Sequence, residues 1–234
     1  MNSETVRLNK FLAERLGISR RQADDAIADG KVTINGKVAE LGARISIKAI
    51  DKSDEVCYDG SKVGGDVSYL YLAVNKPVGY LCSRRSQGDF PTIYELLPEK
   101  YQKLKTVGRL DRDSSGLILL TNDGDFAFQA THPQFHKTKV YEVELDRALE
   151  PLHQQEISDF GIEIGDGVSK LGLTRLDDSR KKWRVEMSEG RNRQIRRTFA
   201  ALGYEVIKLH RIQFGKYMLG GLKSGQFEEV AKVN

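Results

Sequence analysis

The sequence predicts an α+β protein in two units. A small helix–helix–hairpin domain spans residues 1–60, and a larger domain over 69–234 carries a mixed, mostly antiparallel sheet flanked by helices. Three observations predict it. Two short amphipathic stripes are followed at once by a hairpin signal, and a glycine-rich polar stretch without apolar period then interrupts the chain. Beyond that stretch, strand and helix patterns mix without the strand–helix–strand rhythm of a parallel sheet. The 234 residues suffice for one large or two modest domains, and 39% hydrophobic content supports cores with no apolar run of membrane-spanning length.

Leu8, Phe11, Leu12 and Leu16 recur at helical spacing, and Gly17 supplies the stop. Ser19 with Gln22 reads as a capping box for a second helix whose buried stripe is Ala23, Ala26 and Ile27 and which Gly30 ends. Val32-Thr33-Ile34, Asn35-Gly36 and Lys37-Val38-Ala39 predict a hairpin, because Asn-Gly accepts the positive φ angles of a type I′ turn. Asp59 to Asp66 is glycine-rich and polar, which assigns residues 61–68 to a flexible linker.

The second unit opens with a buried strand, Tyr69 to Val74, which ends at Asn75-Lys76-Pro77 in a loop running to Gly79. Tyr94 to Leu97 reads as one helical turn. Leu117 to Thr121 is an apolar strand closed by the turn Asn122-Asp123-Gly124, and Asp125 to Thr131 is a helix stopped at Pro133. Lys139 to Leu145 and Trp183 to Met187 alternate as strands. Arg193 to Leu202 is a helix ended by Gly203, with Ile195, Phe199 and Leu202 inward.

The net charge of +4 says little, but its distribution says more. Residues 1–60 balance ten Lys/Arg with ten Asp/Glu, whereas residues 180–223 carry twelve Lys/Arg against Glu186, Glu189 and Glu205. The C-terminal stretch is therefore where phosphates are expected. Cys57 and Cys82 form no CxxC pair, and Met1 to Lys10 lacks the apolar core of a secretory signal, so the expected compartment is the cytoplasm.

A functional site is expected between Val107 and Gly124, where Arg109, Asp111, Arg112 and Asp113 crowd the mouth of the apolar strand. Asp111, Asp113, Ser115 and Gly116 match the opening of a calcium loop, but Asn122 stands where its bidentate Glu belongs and an apolar strand fills its second half. His132 and His136 are separated by Pro133, which prevents a regular helical pair. No metal is predicted.

Gly108-Arg109-Leu110-Asp111 with Ser115-Gly116-Leu117 resembles the signature of the pseudouridine synthases that modify ribosomal RNA, and within them most closely the small-subunit (Rsu) family. Three further stretches agree in order and spacing: Val74 to Tyr80, Lys139-Val140-Tyr141, and Glu189 to Arg197. Residues 1–60 resemble the RNA-binding module of ribosomal protein S-four. The resemblance implies isomerisation of uridine to pseudouridine with the target base flipped into a pocket, and no cofactor. It implies Asp111 as the catalytic carboxylate, Arg196 as the basic residue paired with it, Tyr141 stacked on the uracil, and Ile195 as an apolar wall. Arg109 would help fill the gap left by the extruded nucleotide.

Physical chemistry agrees on one point: a buried carboxylate stays ionised only beside a cation, and arginine binds it with two bonds. Arg7, Arg20, Arg21 and Lys31 are the expected RNA contacts of the small domain, and Lys76, Arg191, Arg193 and Arg197 those of the large one. The expected partner is ribosomal RNA of either subunit, free or in an assembly intermediate, met by a monomer. The rival from another class is a non-catalytic RNA-binding assembly factor. Against it, RNA binding alone would not set a carboxylate facing a polyanion. A hydrolase using Asp111 and Asp113 is disfavoured because paired acid and base would face each other across a cleft, not share one tight loop.

Overall fold

The computed structural model describes residues 4–48 and 53–233. They divide into two compact units, Met1–Tyr69 and Leu70–Asn234.

In the first unit, β1 (Glu4–Arg7) runs directly into α1 (Leu8–Leu16), which ends where Gly17 takes the left-handed conformation at φ +67°. α2 (Arg20–Ala28) is capped reciprocally, as the Ser-x-x-Gln spacing predicts: the Gln22 N–H donates to Ser19 Oγ at 3.1 Å and the Ser19 N–H to Gln22 Oε1 at 2.8 Å. β2 (Val32–Ile34) and β3 (Lys37–Val38) are joined by Asn35 and Gly36 at φ 51° and 79°, the predicted type I′ turn. β4 (Arg44–Lys48) pairs with β1, β5 (Val56–Tyr58) with β2, and β6 (Ser61–Lys62) with β5. Leu8, Leu12, Ala23, Ile27, Val32, Ile45 and Val56 form the core.

The linker expected over 61–68 begins too early. Asp59 and Gly60, both at positive φ, are a tight turn that returns the chain into β6, and the Val63 N–H donates to Val56 O at 2.8 Å with Val63 in the core. Glycine next to a polar residue marks a hairpin turn as readily as a linker.

The second unit contains, in order, β7 (Tyr71–Lys76), β8 (Lys105–Val107), β9 (Ser115–Thr121), α3 (Gly124–Thr131), β10 (Lys139–Leu145), α4 (Pro151–Gln155), β11 (Ile162–Glu163), β12 (Val168–Ser169), β13 (Gly172–Arg175), β14 (Lys182–Met187), α5 (Gln194–Ala201), β15 (Val206–Phe214), β16 (Tyr217–Met218) and β17 (Phe227–Glu229). Its sheet has the order β13-β14-β10-β15-β9-β7-β17, with β8 added on β9 and β16 on β15. Among the described strands every pairing is antiparallel except that of β9 with β15.

β7 and β9 read as continuous apolar runs because the sheet is covered on both faces. Leu72, Val74, Ile118 and Leu120 join Val143, Trp183 and Phe199 of α5 on one side. Ala73, Leu117 and Leu119 join Phe126 and Ala130 of α3 on the other. Asp123 starts α3 by accepting from the Phe126 N–H at 2.9 Å, and its carboxylate also takes bonds from the Tyr71 hydroxyl and Lys232 Nζ.

Candidate active site

The centre of the site is a turn in which the Ser114 N–H donates to Asp111 O at 3.1 Å, reversing the chain between Leu110 and β9. The end of β7 holds this turn. Lys76 is fully buried, and its ammonium donates to Ser114 O at 2.7 Å, Pro77 O at 2.8 Å and Arg112 O at 3.4 Å. The Gly79 N–H also donates to Arg112 O, at 2.7 Å, and the Leu110 N–H points to Cys82 Sγ at 3.4 Å. Burial pushes the Lys76 ammonium below its ordinary pKa, against the opposing influence of Cys82, Asp113 and Asp111. Lys76 is therefore not the phosphate contact expected from the sequence. The strand runs to Lys76 instead of stopping at Val74, and backbone carbonyls consume the ammonium's donors.

Asp111 opens onto a cavity of about 410 Å³ whose walls include Arg109, Tyr141, Ile195, Arg193 and Leu209. Tyr141 and Ile195 are buried at its wall, from β10 and the first turn of α5, and Arg109 is exposed at the cavity's edge. Six of the expected residues, Arg109, Asp111, Tyr141, Arg191, Arg193 and Ile195, thus share one cavity although up to 86 positions separate them in the chain.

The cation nearest Asp111 differs from expectation. Arg193 Nη1 lies 3.7 Å from Asp111 Oδ2, and the same guanidinium donates to both oxygens of Asp113 at 3.1 Å. Arg196 does not pair with Asp111. Its Nε lies 3.3 Å from Asp113 Oδ2, Nη2 donates to Asp113 O at 3.0 Å, and Nη1 donates to Val206 O at 2.6 Å. Arg193, the residue before α5 and in the left-handed conformation at φ 46°, and Arg196 in the first turn of the helix both reach Asp113. Burial raises the Asp113 pKa, but the Arg193 hydrogen bond and the charges of Arg196 and Arg193 outweigh it, holding the carboxyl below its ordinary value.

Arg191 and Arg197 are likewise committed to protein acceptors. Arg191 donates to Val168 O at 2.7 Å, Asp166 O at 3.1 Å and Glu189 at 2.9 Å. Arg197 donates to the Asp166 carboxylate at 2.7 and 2.9 Å and to Ile164 O. Two arginines expected on phosphates instead fasten the turn between β11 and β12 to α5. In the first unit Arg7, Arg20, Arg21 and Lys31 are all exposed. There Arg20 donates to Asn9 at 3.1 Å, Lys31 pairs with Asp29 at 2.9 Å, and Ser19 already occupies the Gln22 N–H at the start of α2.

Sequence reasoning missed Lys139, Glu189 and Arg211, which also line the cavity. Lys139 had a readable signal, since it lies two before Tyr141 on one strand and so shares its face. Lys139 Nζ donates to Glu189 O at 3.0 Å; burial and then the charge of Arg211 lower its pKa, while Glu189 opposes them.

Comparison with known proteins agrees with this geometry. Residues 70–201 match the family model of RNA pseudouridylate synthase, and residues 6–49 match the S4 domain. Ribosomal small subunit pseudouridine synthase A of Pasteurella multocida is 37% identical over 98% of this chain and all of its own. Ribosomal large subunit pseudouridine synthase B of Bacillus subtilis is 34% identical over 96% of this chain and 91% of its own. A solved pseudouridylate synthase, 35% identical, superposes with a TM-score of 0.67 over 97% of this chain and 96% of that one. With its S4 domain and its matched catalytic region, the chain belongs to the RNA pseudouridylate synthase family.

Proposed function

We propose that the enzyme isomerises a uridine of ribosomal RNA to pseudouridine, with Asp111 as the catalytic carboxylate. The observation that carries the reading is the cavity itself: a carboxylate on a braced turn, a buried tyrosine on β10 and an apolar isoleucine line a space of nucleotide size. The base detaches from C1′ at N1, turns, and rejoins through C5, so no outside atom enters. Asp111 suits that chemistry as a nucleophile toward the base or the sugar, or as the base that takes a sugar proton.

In this reading Tyr141 stacks on the extruded uracil and Ile195 closes the pocket. Arg193, 3.7 Å from Asp111, sets a positive charge beside the carboxylate, and Arg196 acts through Asp113 as a positioning residue. The S4 unit, with exposed Arg7, Arg20, Arg21 and Lys31, binds a separate RNA feature and raises the local concentration of the target. The relatives named for the small and the large subunit both support a ribosomal substrate. No described helix is long and apolar enough to cross a membrane, and we place the reaction in the cytoplasm, carried out by a monomer.

A pseudouridine map of both ribosomal RNAs, in cells with and without the gene and with an Asp111→Asn copy, tests the reading. One missing mark that only the wild type restores is the expected result. Unchanged maps, with the protein still co-purifying with ribosomal particles, would favour the non-catalytic assembly factor.

A further inference from the structure

Arg211 is 2% exposed and lines the same cavity as Asp111 and Tyr141. It is the direct cross-strand partner of Tyr141 in the β10–β15 pair, so both side chains leave one face of the sheet side by side. Its Nε donates to Leu117 O at 2.7 Å, and its guanidinium sits 4.9 Å from the centre of the Phe214 ring. Its Nη2 is buried and has no hydrogen-bond partner among the described residues. A buried cationic N–H without a protein acceptor destabilises the free protein, and an acceptor placed in the cavity that Arg211 lines removes that cost. Lys139, on the Tyr141 strand, adds a second basic group to the same wall, its pKa lowered by burial and then by the charge of Arg211.

We infer that Arg211 Nη2 donates to a carbonyl oxygen of the extruded uracil and stabilises the negative charge that the base acquires when it leaves the ribose. The inference rests on the isomerase reading above. When the C1′–N1 bond breaks, its electron pair stays on N1 and spreads onto O2 and O4. The base turns, C5 bonds to C1′ and gives up its proton, and N1 takes one, so the sum is an isomerisation. Arginine stays cationic throughout, which makes Arg211 a fixed donor aimed at a charge that grows only as the bond breaks. The competing account is that Arg211 merely braces β15 against β9 through Leu117.

The test is single-turnover kinetics on a ribosomal RNA transcript that the wild type modifies, carrying uridine, 2-thiouridine or 4-thiouridine at the target. Sulfur is a weak acceptor, so wild type should slow about tenfold or more with whichever oxygen Arg211 meets. Arg211→Gln should lose roughly 10²-fold in kcat with KM little changed, and should no longer distinguish that thio-substrate from uridine. Arg211→Lys should recover part of the rate. Wild-type rates equal on all three substrates overturn the inference without recourse to any variant. So does a variant whose loss multiplies independently with each sulfur, as a brace would give. Absence of wild-type turnover on any ribosomal RNA is a different failure, because it removes the isomerase reading itself.

Discussion

Lys76→Met separates a structural ammonium from a phosphate contact. Two of its bonds are short, at 2.7 and 2.8 Å, and the third, at 3.4 Å, is weak. Hydrogen bonds from a charged donor contribute about 1.5–3 kcal/mol each, so the two short ones set a gross loss of roughly 3–6 kcal/mol. Relief from burying an ammonium offsets part of it, leaving a net loss of about 3 kcal/mol. In a unit of this size that lowers the melting temperature by roughly 6–12 °C. Because the same bonds hold the Asp111 turn, a displacement on the order of 1 Å would lower turnover by about 10²-fold. RNA affinity should change little, and the slope of log affinity against log salt should stay as in wild type. Thermal unfolding, single-turnover kinetics and filter binding from low to high salt measure all three. An unchanged melting temperature, with the salt slope reduced by roughly 0.7–0.9, would refute the reasoning, since that is the signature of one lost phosphate contact.

Asp111→Asn should abolish turnover and leave RNA binding intact or slightly tighter, because it removes a charge that repels phosphate; joint loss of binding and turnover in a gel-shift and kinetic comparison would reject its assigned role. Arg196→Lys keeps the charge but not the fork that reaches Asp113 and Val206, so kcat should fall more than affinity, and an unchanged kcat would take Arg196 out of the site. Asp113→Asn should loosen Arg193 and Arg196 together. The Asp113 carboxyl titrates below its ordinary 3.8 in the folded protein, so its stabilisation is present above 3.8 and is lost as pH falls through the lower folded value. With the side chain 42% exposed, solvent screening limits that stabilisation to about 1 kcal/mol. Chemical denaturation should therefore show a wild-type advantage at pH 6 that disappears in acid, and a constant gap across that range would contradict it.

Local signals in the sequence were readable where their causes are local. The Ser19–Gln22 cap and the Asn35-Gly36 turn each depend on a few adjacent residues, and both form as expected. The residues of the cavity were legible only through motif resemblance, because Asp111, Tyr141 and Ile195 meet by sheet pairing and helix packing across the domain. β15 escaped notice since Lys208, His210, Arg211 and Gln213 break the apolar pattern of a strand that lies between β10 and β9. Its buried arginine faces a cavity instead of solvent, and no periodicity encodes that. Lys76 misled for the opposite reason: a lysine before a proline looks like an exposed loop cation, whereas three converging carbonyls draw it inside.

The seam between β9 and β15 also fixes when the pocket can exist. Gly116, at φ +105°, passes so close to Arg211 that a Cβ would sit 2.2 Å from the Arg211 carbonyl oxygen. This parallel contact joins residues 95 positions apart, and α5, with Arg196, is synthesised only shortly before it. A chain growing from its N-terminus completes the S4 unit early, but leaves Asp111 without a pocket until β15 has emerged. RNA affinity therefore precedes catalytic competence during synthesis, and a nascent chain can hold RNA before it is able to alter it.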